Sequence, residues 1–67
     1  MNRSLLHEII RVRIDRACRL LRETTLDIER IAVQSGFNSH IRFTTVFHQV
    51  MKLTPTAYRK AHRTGYD

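Results

Sequence analysis

The stretch 36-GFNSHIRFTTVFHQV-50 decides how the rest of the chain is read. Phe43 and Phe47 are four apart and Val50 follows three later, the spacing of one buried stripe on a helix. Val46 joins them, and all four are expected in the core. Gly36 suits a left-handed residue that closes an earlier helix. The face turned away from the stripe carries His40, Ile41, Arg42, Thr44, Thr45, His48 and Gln49, without a single acid. A plain solvated face would mix Glu with Lys. This one does not.

Upstream of Gly36, Asp27 is an N-cap, and Leu26 and Ile31 stand at the two positions of a hydrophobic staple. A short helix therefore spans 28–35, with Ile28, Ile31 and Ala32 facing inward. Phe37 tucks in behind the glycine, and Ser39 or Asn38 caps the next helix, over 39–51. Thr54-Pro55 reads as an N-cap followed by proline at the first helical position, which starts a last helix over 55–63. Before all of these, Ser4 caps a long helix over 4–23. Leu6, Ile10, Ile14, Ala17 and Leu21 form one stripe on it, and Leu5, Ile9 and Val12 a second beside it. Together the stripes are wider than the ~100° that one neighbour requires. The chain offers this helix one neighbour where its pattern asks for two.

Sixty-seven residues make a single domain, 1–67, with a small core. One cysteine, Cys18, allows no internal disulfide, which fits a reducing, cytoplasmic setting. No charged-then-apolar leader and no bilayer-length apolar run occur, so neither export nor a membrane partner is expected. The charge is unevenly placed. Residues 1–29 hold six arginines and five acids, whereas 30–66 hold six bases and no acid. The positive excess thus coincides with the acid-free helix, and it points to a polyanionic partner.

Two short helices joined by a glycine turn, the second amphipathic and free of acids, match the helix-turn-helix pattern. The run VRIDRACRLLRETTLDIERIAVQSGFNSHIRFTTVFHQVMKLTPTAYR resembles the second helix-turn-helix of the AraC/XylS family of bacterial transcription regulators. Arg13, Ala17, Leu20 and Leu21 match the helix that joins that family's two subdomains. Ile28, Ile31, Ala32, Gly36, Phe37, Ser39, Phe43, Phe47, Thr54, Pro55, Tyr58 and Arg59 match its C-terminal signature. The opening SLLHEIIRVRI is similar to the sugar-responsive, xylose-regulator-like branch. The resemblance implies an all-α, homeodomain-like helix-turn-helix bundle of about four helices, the first long. It also implies a truncated or fragmentary regulator, without the first reading unit or an effector site. Three positions depart from the family pattern. Lys52 stands where glycine is usual, His48-Gln49 where a basic pair is usual, and Thr45 where a long polar or basic residue is frequent.

On a wheel anchored by Phe43, Phe47 and Val50, the side chains pointing most directly outward are Ile41, Thr45 and His48. His40, Ile41, Thr44, Thr45 and His48 are accordingly the expected base-reading set on double-stranded DNA, bound in the nucleoid. Ser39, Arg42, Gln49, Lys52, Arg59 and Lys60 are the expected phosphate contacts. Arg59, Lys60 and Arg63 can equally be solvated charges, and Tyr58 reads as a packing anchor.

Other chemistry finds no constellation. His40, His48, His62 and Cys18 lack metal-ligand spacing, so no metal or other cofactor is expected. Asp27 and Glu29 lie at a helix start, and neither Ser35 nor Ser39 has a base beside it, so the chain is not expected to be an enzyme. Single-stranded RNA is disfavoured by the lack of surface aromatics on which bases stack. The remaining alternative is an interaction module that pairs with a full-length regulator or with RNA polymerase through the long first helix, whose second stripe also allows self-association.

Overall fold

A computed structural model describes the backbone of residues 5–62 and the side chains of 8–62. Four helices follow in order: α1 (Leu5–Glu23), α2 (Ile28–Gln34), α3 (His40–Met51) and α4 (Pro55–Ala61). The boundaries between residues 23 and 55 lie within one residue of their expected places, inside the usual margin for helix ends. The expected cap Ser4, the side chains of Leu5 and Leu6, and Arg63 lie outside the described residues. No described helix is long and apolar enough to cross a membrane.

The caps explain where the helices begin. Asp27 accepts from the Arg30 amide at 2.9 Å, Ser39 from Arg42 at 3.2 Å, and Thr54 from Ala57 at 3.1 Å. Each satisfies one amide that the first helical turn leaves unpaired. Between α2 and α3, Gly36 has φ +94°. Its amide bonds the Val33 carbonyl at 3.0 Å, and the Phe37 amide bonds Ala32 at 2.9 Å. These two bonds make a Schellman turn, with Phe37 as its apolar plug. Arg13 closes the turn from outside. A Cβ added at Gly36 would come within 3.0 Å of Arg13 Nε, and the guanidinium carbon lies 5.9 Å from the Phe37 ring centre.

The core gathers Ile14, Ala17, Cys18 and Leu21 of α1, Ile31 and Ala32 of α2, Phe37, Phe43 and Phe47, and Tyr58 of α4. α1 packs on α2 and α4, and α3 is held by the same pair. One expectation fails here. Val50 is not core but 47% exposed, and Val46 is only half-buried. Val50 shares the side of Phe43 and Phe47, but it falls in the last turn of α3. There Met51, four residues after Phe47, packs against the core instead. A second expectation fails too, since α1 has two neighbours, α2 and α4, and not one; even so, Ile9 and Val12 of its second stripe stay 40% and 63% exposed.

Candidate nucleic-acid interface

The presentation of α3 is set from its inner side. Phe37 and Phe43 have ring centres 5.3 Å apart, Phe43 and Phe47 5.7 Å, and Phe47 and Tyr58 5.7 Å in an edge-on contact. Such tilted pairs suit the aromatic quadrupoles. The middle pair lies within α3, but Phe37 at one end and Tyr58 of α4 at the other tie it to the rest of the fold, and these two contacts leave α3 little freedom to roll. Its outer side is therefore a defined surface, on which His40, Ile41, Arg42, Thr45, His48 and Gln49 are all exposed.

Both ends of α3 carry chemistry. At the N-terminus, Ser39 uses its hydroxyl on the Arg42 amide, while the remaining amides and the helix dipole favour a negative partner. At the C-terminus, Lys52 takes the left-handed conformation, φ 64° and ψ 18°, and donates its amide to the His48 carbonyl. Lysine thus keeps the geometry in which glycine meets no steric cost.

Most of the expected base-reading residues share one surface. His40, Ile41, Thr45 and His48 stand out together, whereas Thr44 is half-buried on the flank. The Thr44 hydroxyl donates to the His40 carbonyl one turn back, a back-bond that uses its single proton. Of the expected phosphate contacts, Arg42, Gln49 and Lys52 lie exposed on or just after α3, and Lys60 is exposed on α4. None of these bases pairs with a described acid, since the ion pair found among the described residues is Arg19–Glu23 within α1.

Arg59 needs correction. It does not reach outward but turns back to α1, donating from Nε to the Leu21 carbonyl at 3.2 Å and from Nη2 to the Thr24 carbonyl at 3.0 Å. The last carbonyls of a helix lack partners within it, and α4 crosses where an arginine fork can supply two. Beside it, Arg22 donates to the Tyr58 hydroxyl at 3.0 Å. Neither arrangement has a local signature, because the partners are more than thirty residues apart. The Thr44 back-bond was within reach, since threonine inside a helix often bonds the carbonyl four residues earlier.

A family model described as a helix-turn-helix domain (HTH_18) matches residues 1–61. The chain belongs to the AraC-type helix-turn-helix family. This AraC-type chain is 30% identical over 63 residues to the MmsAB operon regulatory protein of Pseudomonas aeruginosa, covering 94% of itself and 20% of that protein. It is 33% identical over 58 residues to the HTH-type transcriptional activator RhaR of Mannheimia succiniciproducens, covering 87% of itself and 21% of the relative. The C-terminal domain of AraT, a response regulator from Geobacillus stearothermophilus, superposes with a TM-score of 0.91 at 30% identity, over 94% of this chain and 52% of that one. The C-terminal domain of the response regulator yesN from Fusobacterium nucleatum gives 0.83 at 32%, over 85% and 55%. The chain thus spans about a fifth of the curated relatives and about half of the solved domains it matches. AraC-type domains are the DNA-binding parts of transcription regulators and are not enzymatic.

Proposed function

We propose that the chain binds double-stranded DNA with sequence preference, by placing α3 in the major groove, and serves transcription regulation. One observation carries this reading. The exposed side of α3 is free of acids and fixed in orientation by the Phe37–Phe43–Phe47–Tyr58 contacts beneath it. A helix of this width fits the major groove, where base edges offer donors, acceptors and thymine methyls. His40, Ile41, Thr44, Thr45 and His48 form the base-reading set. Ser39 with the first-turn amides of α3, together with Arg42, Gln49, Lys52 and Lys60, forms the phosphate set. Arg59 leaves that set because its guanidinium is held by α1.

The test is selection from random duplexes at low salt, comparing the chain with Ile41→Ala/Thr45→Ala. The parent should enrich a motif, and the double variant should bind without one. A parent that enriches nothing, or a variant that enriches the same motif, defeats the reading.

A second reading rests on Ile9 and Val12, whose exposure leaves an apolar face along α1. That face suits docking on another helical unit, on a second copy of the chain, or on RNA polymerase. It is compatible with DNA binding, because it lies on a different helix from the reading surface.

A further inference from the structure

Ile41 is 76% exposed, the most exposed of the large apolar side chains among the described residues. It lies on a helix side otherwise made of polar and basic residues, one turn ahead of Thr44 and Thr45. Thr44 has given its proton to the His40 carbonyl, so it keeps a methyl and acceptor lone pairs but has nothing to donate. The wholly apolar side chain on this face is therefore Ile41, with the Thr44 methyl on its flank, while Thr45 and His48 keep polar groups of their own. In the major groove only thymine presents an apolar group, its C5 methyl.

Resting on the DNA reading above, we infer that this face recognises thymine through its C5 methyl, with Ile41 as the main contact and the Thr44 side chain beside it. Ile41 is the specificity-determining residue. The ligand class is a duplex with thymine at one or two of the steps facing residues 41–45. Of the side chains that read guanine or adenine by paired hydrogen bonds, arginine or lysine and asparagine or glutamine, α3 itself holds only Arg42 and Gln49, both on the flank, where phosphate contact is the proposed role.

The experiment separates the methyl from everything else on the base. Each thymine of the motif selected by the 67-residue chain is replaced in turn by uracil, which keeps the pairing and both carbonyls and removes only the methyl. Affinity at low salt should fall about fourfold at one or two positions, the fold-change for one buried methyl-sized group. Ile41→Ser should bind the thymine and uracil duplexes equally at those positions, while Ile41→Val should keep most of the discrimination. Circular dichroism checks that the variants stay folded, as an exposed position allows. If a motif is selected but uracil costs nothing anywhere, the inference is overturned while DNA reading stands. The same holds if Ile41→Ser still discriminates, which would point to docking on a protein as the role of Ile41. If no motif is selected, the inference falls together with the reading on which it rests.

Discussion

Arg59 donates to the main-chain carbonyl of Leu21 at 3.2 Å, across thirty-eight positions of sequence. Through this bond, and its companion to Thr24 at 3.0 Å, the last helix caps the first. Arg59→Lys keeps the charge but loses the planar fork. It should destabilise by about 1 kcal/mol, and Arg59→Met by about 1–2 kcal/mol, the lower range for hydrogen bonds from a charged donor that is partly exposed. Neither should change the slope of log K for DNA against log salt. Urea melts and salt titrations check both points together. A slope lower by about one unit with stability unchanged would return Arg59 to the phosphate contacts.

Lys52 holds φ 64°, where a side chain costs roughly 1–2 kcal/mol relative to glycine. Glycine in turn loses more freedom on folding, which offsets part of the gain. Lys52→Gly is therefore expected to stabilise by about 0.5–1 kcal/mol. If Lys52 also meets a phosphate, the same variant should bind DNA less tightly on every sequence. Stability and affinity would then move in opposite directions. A melting temperature that stays level or drops would show that α3 ends differently.

How much of this could be read from the chain divides by distance. Asp27, Gly36, Ser39 and Thr54-Pro55 announce their roles because a cap is a bond across three residues, with a fixed residue type at a fixed place. The outer side of α3 is legible for a similar reason, since helical periodicity assigns it once Phe43 and Phe47 are buried. Val50 misled because periodicity says which side a residue is on, not whether another helix extends far enough to cover it. Arg59 misled because its partner carbonyls belong to the far end of α1, which only the packing of α4 brings near. Ser35 gave no signal either: it is 3% exposed, and its hydroxyl finds no partner among the described residues.

Burial pushes the Cys18 thiol above its ordinary range. The Tyr58 hydroxyl and Arg22 pull it part of the way back, and Asp15 pushes it up again. A raised pKa in the fold means that the neutral thiol is the favoured form there. This contribution is complete below the unfolded thiol pKa of about 8.5 and is lost as pH rises through the folded value. Stability should thus decline above about pH 8.5, and Cys18→Ala should flatten that decline while costing some packing. An aromatic disulfide reagent should label native Cys18 far more slowly than the unfolded chain. Rapid labelling of the native protein would contradict the burial.

Ile9 and Val12 remain exposed on α1 beside a well-formed core. At high concentration the chain should bury them by self-association. Ile9→Glu should give a more soluble monomer of unchanged helix content, because Ile9 lies outside the buried core. Sedimentation velocity on both proteins decides. A parent that is monomeric at high concentration removes the support for this face as a docking surface.

The charges on and beside α3 should act on affinity separately from the side chains that read sequence. Arg42 and Lys60 are exposed, lie on different helices, and pair with no described acid. Each genuine phosphate contact releases about one counterion, so Arg42→Gln or Lys60→Gln should lower the salt slope by about one unit and weaken binding on all sequences alike. Thr45→Ala and His48→Ala should instead leave the slope in place and erode the preference, by roughly 1–3 kcal/mol for each base no longer read. One reading helix typically buries ~600–1,000 Å² against DNA, so the parent should bind weakly and release readily as salt rises. Fluorescence anisotropy of one selected and one scrambled duplex, each over a salt series, yields slope and preference for every variant. Should neutralising Arg42 or Lys60 alter the preference but not the slope, their place on the phosphates is wrong. Should Thr45→Ala and His48→Ala both leave the preference whole, the outer side of α3 is not what reads the bases.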